Sequence, residues 1–297
     1  MTRHTNSPPR RRAFSAPDSF TGSEPKRAMS AARQRPGGSE LTSSRRSTSR
    51  PEPAAVHATA ARILAFGRGR LAERAEFANI ASTVGVAQYV GIAAEIHGRL
   101  GAGRILDWGA GWGQNALLLA THGLEVVAFD VEDKGAAAGL LAGTAVRYVV
   151  AADGLLPFTD TEFDAALNCG VLEHVDDERR ALAELRRVLR PGALLFTYHL
   201  PNRHAWTEWL GRRLGRFHHD RTYSWTETVD LFQAGGFRVV GIRPFHVLPR
   251  NVWARLPAWV ATGEGAARAL ERMDAALVRL PGLRRLATAW ALLAERR

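Results

Sequence analysis

Cysteine is nearly absent from this sequence, and long apolar runs are absent altogether. The single cysteine, Cys169, excludes internal disulfides and a zinc site built from cysteines. No continuous apolar run approaches the roughly 18 residues that a transmembrane helix needs. The N-terminus has no apolar core of the kind found in secretory signal peptides. We therefore expect a protein of a reducing, cytoplasmic compartment.

Acidic residues are fewer than basic residues, and most of the basic surplus lies in the N-terminal segment. Residues 1–55 hold 11 Lys/Arg against 4 Asp/Glu, so that +7 of the net charge of +11 falls on this segment. The segment is rich in Ser, Pro and Arg and has almost no apolar periodicity. Such a chain cannot bury enough surface to offset its ordering entropy. We expect residues 1–55 to be a disordered basic tail.

Three interpretations of this tail stay open. It is a dispensable extension, with Met29 as an alternative start, or a tether to nucleic acid or to an anionic membrane surface. The third is an organelle transit peptide, although the segment lacks a clear amphipathic helix. The rest of the chain is only mildly basic, so we expect no nucleic-acid partner for it.

Residues 104–115 combine an apolar strand pattern with a glycine-rich turn. Asp107 falls at the end of the strand pattern, and Gly109, Gly111 and Gly113 follow at alternate positions before a helical pattern begins. Glycines let the backbone turn sharply and approach a bound molecule, because they carry no Cβ. The helix N-terminus offers free N–H groups, and the carboxylate attracts a cation. The turn therefore suits a ligand with carboxylate, ammonium and sulfonium groups, such as S-adenosylmethionine.

Two other nucleotide-binding turns fit this stretch less well. The dinucleotide fingerprint G-x-G-x-x-G needs a third glycine where this chain has Gln114. The phosphate-binding loop is excluded, because no Gly-Lys-Ser/Thr follows.

Further polar residues follow the next strand patterns. Asp130 ends the second pattern, where it is placed to accept hydrogen bonds from both ribose hydroxyls, and Val131 can cover one face of an adenine. Ala152 and Asp153 follow the third pattern, and Asp153 is placed to accept from an adenine amino group. A fourth pattern spans Phe163 to Cys169.

Together with Leu172-Glu173-His174-Val175 and Leu189-Arg190-Pro191-Gly192, these stretches resemble class I S-adenosylmethionine-dependent methyltransferases of the small-molecule, type 11-like branch. The resemblance covers about residues 104–200. It implies a three-layer, Rossmann-like α/β fold whose seven-stranded, mostly parallel sheet has the order 3-2-1-4-5-7-6. It also implies S-adenosylmethionine as the cofactor.

The resemblance extends to individual cofactor-binding residues. It implies that the three glycines shape the turn and that Asp107 acts on the methionine ammonium, directly or through water. It implies that Asp130 holds the ribose, that Asp153 holds the adenine amino group, and that Asn168 and Cys169 close over the methionine end.

Two histidines are candidates for accepting a proton from the methyl acceptor. His174 lies just past the fourth strand pattern, although its motif is shared by relatives with unrelated substrates and also suits a structural role. His199 lies at the tip of the fifth strand pattern, which spans Ala193 to His199. The His218-His219-Asp220 cluster lacks further ligands at recognisable spacing, so we expect a solvated loop and no metal site.

We expect one methyltransferase domain over residues 56–297. Its parts are N-terminal helices (56–103), a cofactor-binding half (104–200) and a substrate-side half (201–297), with a helical insertion at 248–285 before the last strand. Within the insertion, helical patterns span Val252 to Val260 and Ala266 to Leu280.

We expect methyl transfer to a small molecule, with O-methylation favoured and a lipid-linked, sugar, quinone or other secondary metabolite as acceptor. The alternatives are a nicotinamide-dependent oxidoreductase and a catalytically inactive S-adenosylmethionine-binding protein. Neither the acceptor nor the oligomeric state follows from the sequence.

Overall fold

A computed structural model describes most of the chain after the basic segment. The described ranges are 51–134, 139–152, 155–215, 218–249 and 252–297. The tail prediction for residues 1–55 therefore falls almost entirely outside the described residues, and so does Asp153.

Seven strands form one sheet in the order β3-β2-β1-β4-β5-β7-β6, which confirms the predicted order. Strands β1 to β5 pair in parallel, whereas β7 runs antiparallel to both β5 and β6. Six strands therefore point the same way, and their C-terminal ends share one edge of the sheet. The strands are β1 (Arg104–Trp108), β2 (Glu125–Asp130), β3 (Arg147–Val150), β4 (Phe163–Cys169), β5 (Leu189–Pro201), β6 (Phe237–Phe245) and β7 (Ala289–Arg296).

Helices cover both faces of this sheet. The first helix begins at Pro53, because proline is tolerated in the first helical turn, where its missing N–H is not needed. No helix in the described ranges combines the length and the apolar character that crossing a bilayer requires. The helices are α1 (Pro53–Arg70), α2 (Thr83–Leu100), α3 (Gln114–Thr121), α4 (Glu178–Val188), α5 (Trp206–Arg213), α6 (Trp225–Ala234), α7 (Ala258–Ala261) and α8 (Glu264–Arg279).

Two apolar cores lie on opposite faces of the sheet. Neighbouring residues of β1 belong to different cores, Ile105 to one and Leu106 to the other, because successive side chains of a strand point to opposite faces. The first core includes Ile96 of α2, and the second includes Leu182 of α4 and Phe232 of α6. The expected three-layer α/β architecture is confirmed.

Two predicted boundaries were wrong. The fifth strand, expected from Ala193, begins at Leu189, because Leu189 pairs with Phe163 and a register shift takes up Pro191, which has no N–H to donate. The helix expected around residues 252–260 is split into a 3₁₀ turn and α7, because Pro257 interrupts it.

Candidate functional site

A cavity of about 1550 Å³ lies at the sheet edge where the six parallel strands end. Its wall includes the glycine turn after β1, the ends of β2, β4 and β5, and the residue that follows β6. The N-terminal helices and α5 also contribute to the wall. Open α/β sheets bind their ligands at this edge.

The glycine turn has a backbone conformation that favours glycine at all three positions. Gly109, Gly111 and Gly113 have φ values of 70°, 55° and 84°. A Cβ on Gly109 would lie 2.3 Å from Val171, and one on Gly113 would lie 2.7 Å from Leu141. A Cβ on Gly111 would meet nothing within 4 Å. The turn thus presents bare backbone to the cavity at Gly111.

Asp130 ties this turn to the end of β2. Its Oδ2 accepts a hydrogen bond from the Gly111 N–H (2.8 Å), and its Oδ1 accepts one from the Glu132 N–H (3.2 Å). The residue is 9% exposed and lines the cavity. A carboxylate has about four acceptor positions, so capacity remains for the two hydroxyls of a ribose. These contacts fit the expected cofactor.

Asp107 lies beneath the turn and is not part of the cavity wall. It is 1% exposed, and neither carboxylate oxygen makes a hydrogen bond with the described residues. Burial raises the pKa of Asp107 to about 7; the nearby N–H of Ala116 opposes the rise, and the charge of Asp130 adds to it. We expected Asp107 to act on the methionine ammonium group directly or through water. This placement favours the contact through water.

The other expected cofactor residues divide into two groups. Val131, Ala152 and Cys169 line the cavity with Gly109, Gly111 and Asp130. Asn168 is 1% exposed, and its Nδ2 donates to Thr197 Oγ1 at 3.5 Å, so its side chain lies within the sheet. Gly113 shapes the turn without lining the cavity.

The two proton-acceptor candidates both line the cavity, beside different neighbours. His174 has a side chain that is 63% exposed, and its Nε2 lies 3.9 Å from Glu173 Oε1. Burial lowers the pKa of His174, and the neighbouring His219 ring lowers it further. His199 has a φ of 56° where the pairing of β5 with β7 is irregular, and its ring stacks 6.1 Å from that of His246.

The structure adds a histidine that the sequence did not single out. His246 follows β6, and its Nδ1 lies 2.7 Å from Asp274 Oδ2. Asp274 comes from α8 and is 6% exposed; it also accepts the N–H groups of Val247 and Leu248. His246 lines the cavity, and its Nε2 is buried and makes no hydrogen bond with the described residues. A buried carboxylate thus orients an imidazole in the cavity wall.

A second carboxylate–imidazole pair lies near the end of β4. His219 Nδ1 is 2.7 Å from Glu208 Oε1, and the His219 N–H donates to Glu208 Oε2 at 2.9 Å. Atoms of Glu173, His174 and His219 that can bind a metal all lie within 4.8 Å of one another. Sequence spacing gave no sign of this group, because His219 is far from the other two along the chain.

Residues 106–197 match the model of the methyltransferase domain family. An O-methyltransferase of Aspergillus sclerotiorum is 36% identical over 153 residues, which is 46% of this chain and 55% of that protein. A demethylmenaquinone methyltransferase of Renibacterium salmoninarum is 33% identical over 37% of this chain and 49% of its own length. The chain thus spans about half the length of these curated relatives.

Among solved structures, the Burkholderia thailandensis 1,6-didemethyltoxoflavin-N1-methyltransferase is 22% identical. It superposes with a TM-score of 0.45 over 70% of this chain and 77% of that chain.

The sheet order, the glycine turn with its two acidic neighbours and the family match agree with one another. Residues 106–197 of this chain belong to the class I S-adenosylmethionine-dependent methyltransferases.

Proposed function

We propose that the protein transfers a methyl group from S-adenosylmethionine to a hydroxyl group of a small-molecule acceptor. The observation that carries the proposal is the cavity itself, which joins the glycine turn and Asp130 to the imidazole of His246. The O-methyltransferase of Aspergillus sclerotiorum supports the choice of a hydroxyl acceptor.

The size of the cavity suits two ligands at once. A pocket for one drug-sized ligand measures about 300–1,000 Å³, whereas this cavity measures about 1550 Å³. The glycine turn and Asp130 form one part of its wall. Tyr89, Trp206 and Leu248 also line it, and the Trp206 indole N–H donates to the Val247 carbonyl oxygen at 2.7 Å, which fixes the ring. We assign the turn to the cofactor and the aromatic wall to an acceptor with an apolar body.

Bound S-adenosylmethionine supplies a methyl group on a positively charged sulfur, so the donor is already activated. The protein has to align the acceptor oxygen with that methyl group, exclude water and accept one proton. Gly111 would present bare backbone to the cofactor, and Asp130 would accept hydrogen bonds from its ribose.

We assign acceptance of the hydroxyl proton to His246, whose ring lines the cavity. Asp274 accepts from the Nδ1 side of the ring, which leaves the lone pair on Nε2, the atom that makes no hydrogen bond with the described residues. A carboxylate that holds the imidazole in one tautomer is the arrangement used by general bases in hydrolases. His174 and His199 line the same cavity and are the competing bases.

Methyl transfer is tested with purified protein, S-adenosylmethionine labelled in the methyl group, and a panel of phenols, sterols, sugars and quinols. We expect label in at least one hydroxyl compound. Calorimetric titration with S-adenosylmethionine and with NADH separates a methyltransferase from an oxidoreductase. We expect S-adenosylmethionine to bind and NADH not to bind. Tight binding of NADH alone would refute the proposal.

Asp130→Ala tests the ribose assignment. We expect at least tenfold weaker S-adenosylmethionine binding, a loss of about 1.4 kcal/mol or more. Glu132→Ala is the matched control, because Glu132 contacts Asp130 through its backbone N–H. Equal affinities of the two variants would remove Asp130 from the cofactor site.

A further inference from the structure

We propose that Glu173, His174 and His219 bind one divalent transition-metal ion, such as Zn²⁺, Co²⁺ or Mn²⁺, at the wall of the cavity. The site goes beyond the proposed methyl transfer, and its test does not depend on finding an acceptor. The proposal departs from the expectation that no metal site exists.

Three donor atoms converge from two separate segments. Glu173 and His174 lie in the 3₁₀ turn that follows β4, and His219 lies in the loop between α5 and α6. Their candidate ligand atoms lie within 4.8 Å of one another, and the Glu173 Oε1 to His174 Nε2 distance is 3.9 Å. Ligands about 2.0–2.2 Å from one tetrahedral ion are roughly 3.3–3.6 Å apart. Side-chain rotations close the remaining gap.

The donor set selects the kind of ion. Two imidazoles and one carboxylate are typical of zinc and other first-row transition metals, whereas calcium and magnesium prefer oxygen ligands. The Glu173 side chain is only 3% exposed, and a cation beside a buried carboxylate offsets part of its desolvation cost. All three residues line the cavity, so an ion held among them would be accessible to a ligand in the cavity.

Glu208 gives this site a preorganised histidine. Glu208 is 4% exposed, and it contacts both the Nδ1 and the backbone N–H of His219, at 2.7 and 2.9 Å. Metal-binding histidines commonly donate their second ring N–H to a carboxylate, which fixes the tautomer and raises the basicity of the ligating nitrogen. With Nδ1–H held by Glu208, the lone pair is on Nε2.

A bound ion has a direct chemical consequence for an acceptor. Three protein ligands leave at least one open position, as in catalytic zinc sites. A hydroxyl oxygen that occupies this position loses its proton more readily, because the ion stabilises the oxyanion. The proposed substrate class is therefore a hydroxyl compound that can coordinate a metal through that oxygen. This refinement of the substrate rests on the proposed function, whereas the metal site does not.

The site is tested by cobalt titration of the full chain after treatment with a chelator. We expect one Co²⁺ per chain, with visible absorption bands of an ion bound by nitrogen and oxygen. His219→Ala and Glu173→Gln are expected to weaken binding at least tenfold. His218→Ala is the matched control, because His218 is the exposed neighbour of His219 in the same loop and lies outside the cluster; its affinity is expected to stay within twofold.

A conservative variant guards against simple misfolding. Glu208→Gln keeps all three ligands and removes only the carboxylate behind His219, and it is expected to weaken Co²⁺ binding about 10–100-fold. Thermal melts and S-adenosylmethionine titrations of the same samples show whether each variant is folded, and they keep the metal question separate from methyl transfer. Absence of Co²⁺ binding, or binding that His219→Ala and Glu173→Gln leave unchanged, would overturn the site.

Discussion

Two buried carboxylates, Glu208 in the cavity wall and Asp274 outside it, each hold one imidazole. Burial alone raises the pKa of both, but hydrogen bonds from His219 outweigh it for Glu208, and those from His246 and the Leu248 N–H outweigh it for Asp274. The pKa of each carboxyl therefore lies below its ordinary value, and both stay ionised at neutral pH. An ionised carboxylate keeps the imidazole that it contacts in one tautomer. The tautomer of His219 is therefore set by Glu208, and that of His246 by Asp274.

The assignment of the base predicts a ranking among histidine variants. We expect His246→Asn to lower kcat by about 10²–10⁴-fold with little change in S-adenosylmethionine affinity, because binding and proton acceptance use different residues. Asp274→Asn is expected to lower kcat less, since the imidazole remains. The rate of the His246 variant should rise with pH as the acceptor ionises unaided. If His199→Asn or His174→Asn loses kcat and His246→Asn keeps it, the base lies elsewhere.

Asp107 predicts a pH dependence of stability in the absence of cofactor. Its pKa is about 7 in the folded state against 3.8 for the ordinary carboxyl. The folded state therefore holds the proton more tightly, and its stability falls as pH rises between about 4 and 7, by about 1.4 kcal/mol per pH unit. The Asp107→Asn variant has no carboxyl group at this position, so its stability does not fall with pH for this reason. Urea unfolding at pH 5 and pH 8 should show a larger gain for the variant at pH 8; equal gains would contradict the raised pKa.

At the scale of elements, α4 fixes the connection that follows β3. Arg187 donates to the carbonyl oxygens of Leu156 and Phe158, each at 2.8 Å, and Glu184 accepts the Leu156 N–H at 3.1 Å. The Arg187 guanidinium is itself held by Glu184 through two bonds, at 2.9 and 2.8 Å. A helix on one face of the sheet thus positions a segment close to the cavity residue Ala152.

Arg187→Lys tests this clamp. Lysine keeps the charge but cannot form the forked set of bonds, so we expect a loss of about 1–3 kcal/mol in the free energy of unfolding. We also expect weaker S-adenosylmethionine binding, because Ala152 shifts with the segment. Arg179→Lys, an exposed change on the same helix, is expected to stay within about 0.5 kcal/mol. Equal urea midpoints for the two variants would contradict the role of the clamp.

The sequence predicted the strands and the glycine turn because each is encoded locally. Alternating glycines, an apolar run and a terminal carboxylate occur within one stretch, so Asp107, Gly109 and Asp130 could be identified by their neighbours. His246 with Asp274, and His219 with Glu208, could not, because each pair joins different elements and no local pattern reports the partner. The start of the fifth strand, predicted at Ala193, was wrong for a related reason. The strand begins at Leu189 because Leu189 pairs with Phe163, and this pairing is a long-range contact that no local pattern reports.

For the whole molecule, the cavity couples ligand binding to stability. A ligand that binds only the folded chain stabilises it by about 2.7 kcal/mol at 100 times its Kd. For a domain of this size we expect S-adenosylmethionine to raise the Tm by about 5–10 °C. NADH at the same concentration is expected to leave the Tm unchanged. A shift with NADH and none with S-adenosylmethionine would contradict the assignment of the whole chain.

The sheet order has a consequence for biosynthesis. Strand β6 is hydrogen-bonded within the sheet only through β7, which is inserted between β5 and β6. A nascent chain that has emerged only as far as residue 280 therefore lacks β7. One edge of β5 and both edges of β6 are then unpaired. The β5-β7-β6 part of the sheet can assemble only once residues 289–296 have left the ribosome, so the open edges of β5 and β6 need chaperone protection until that strand emerges.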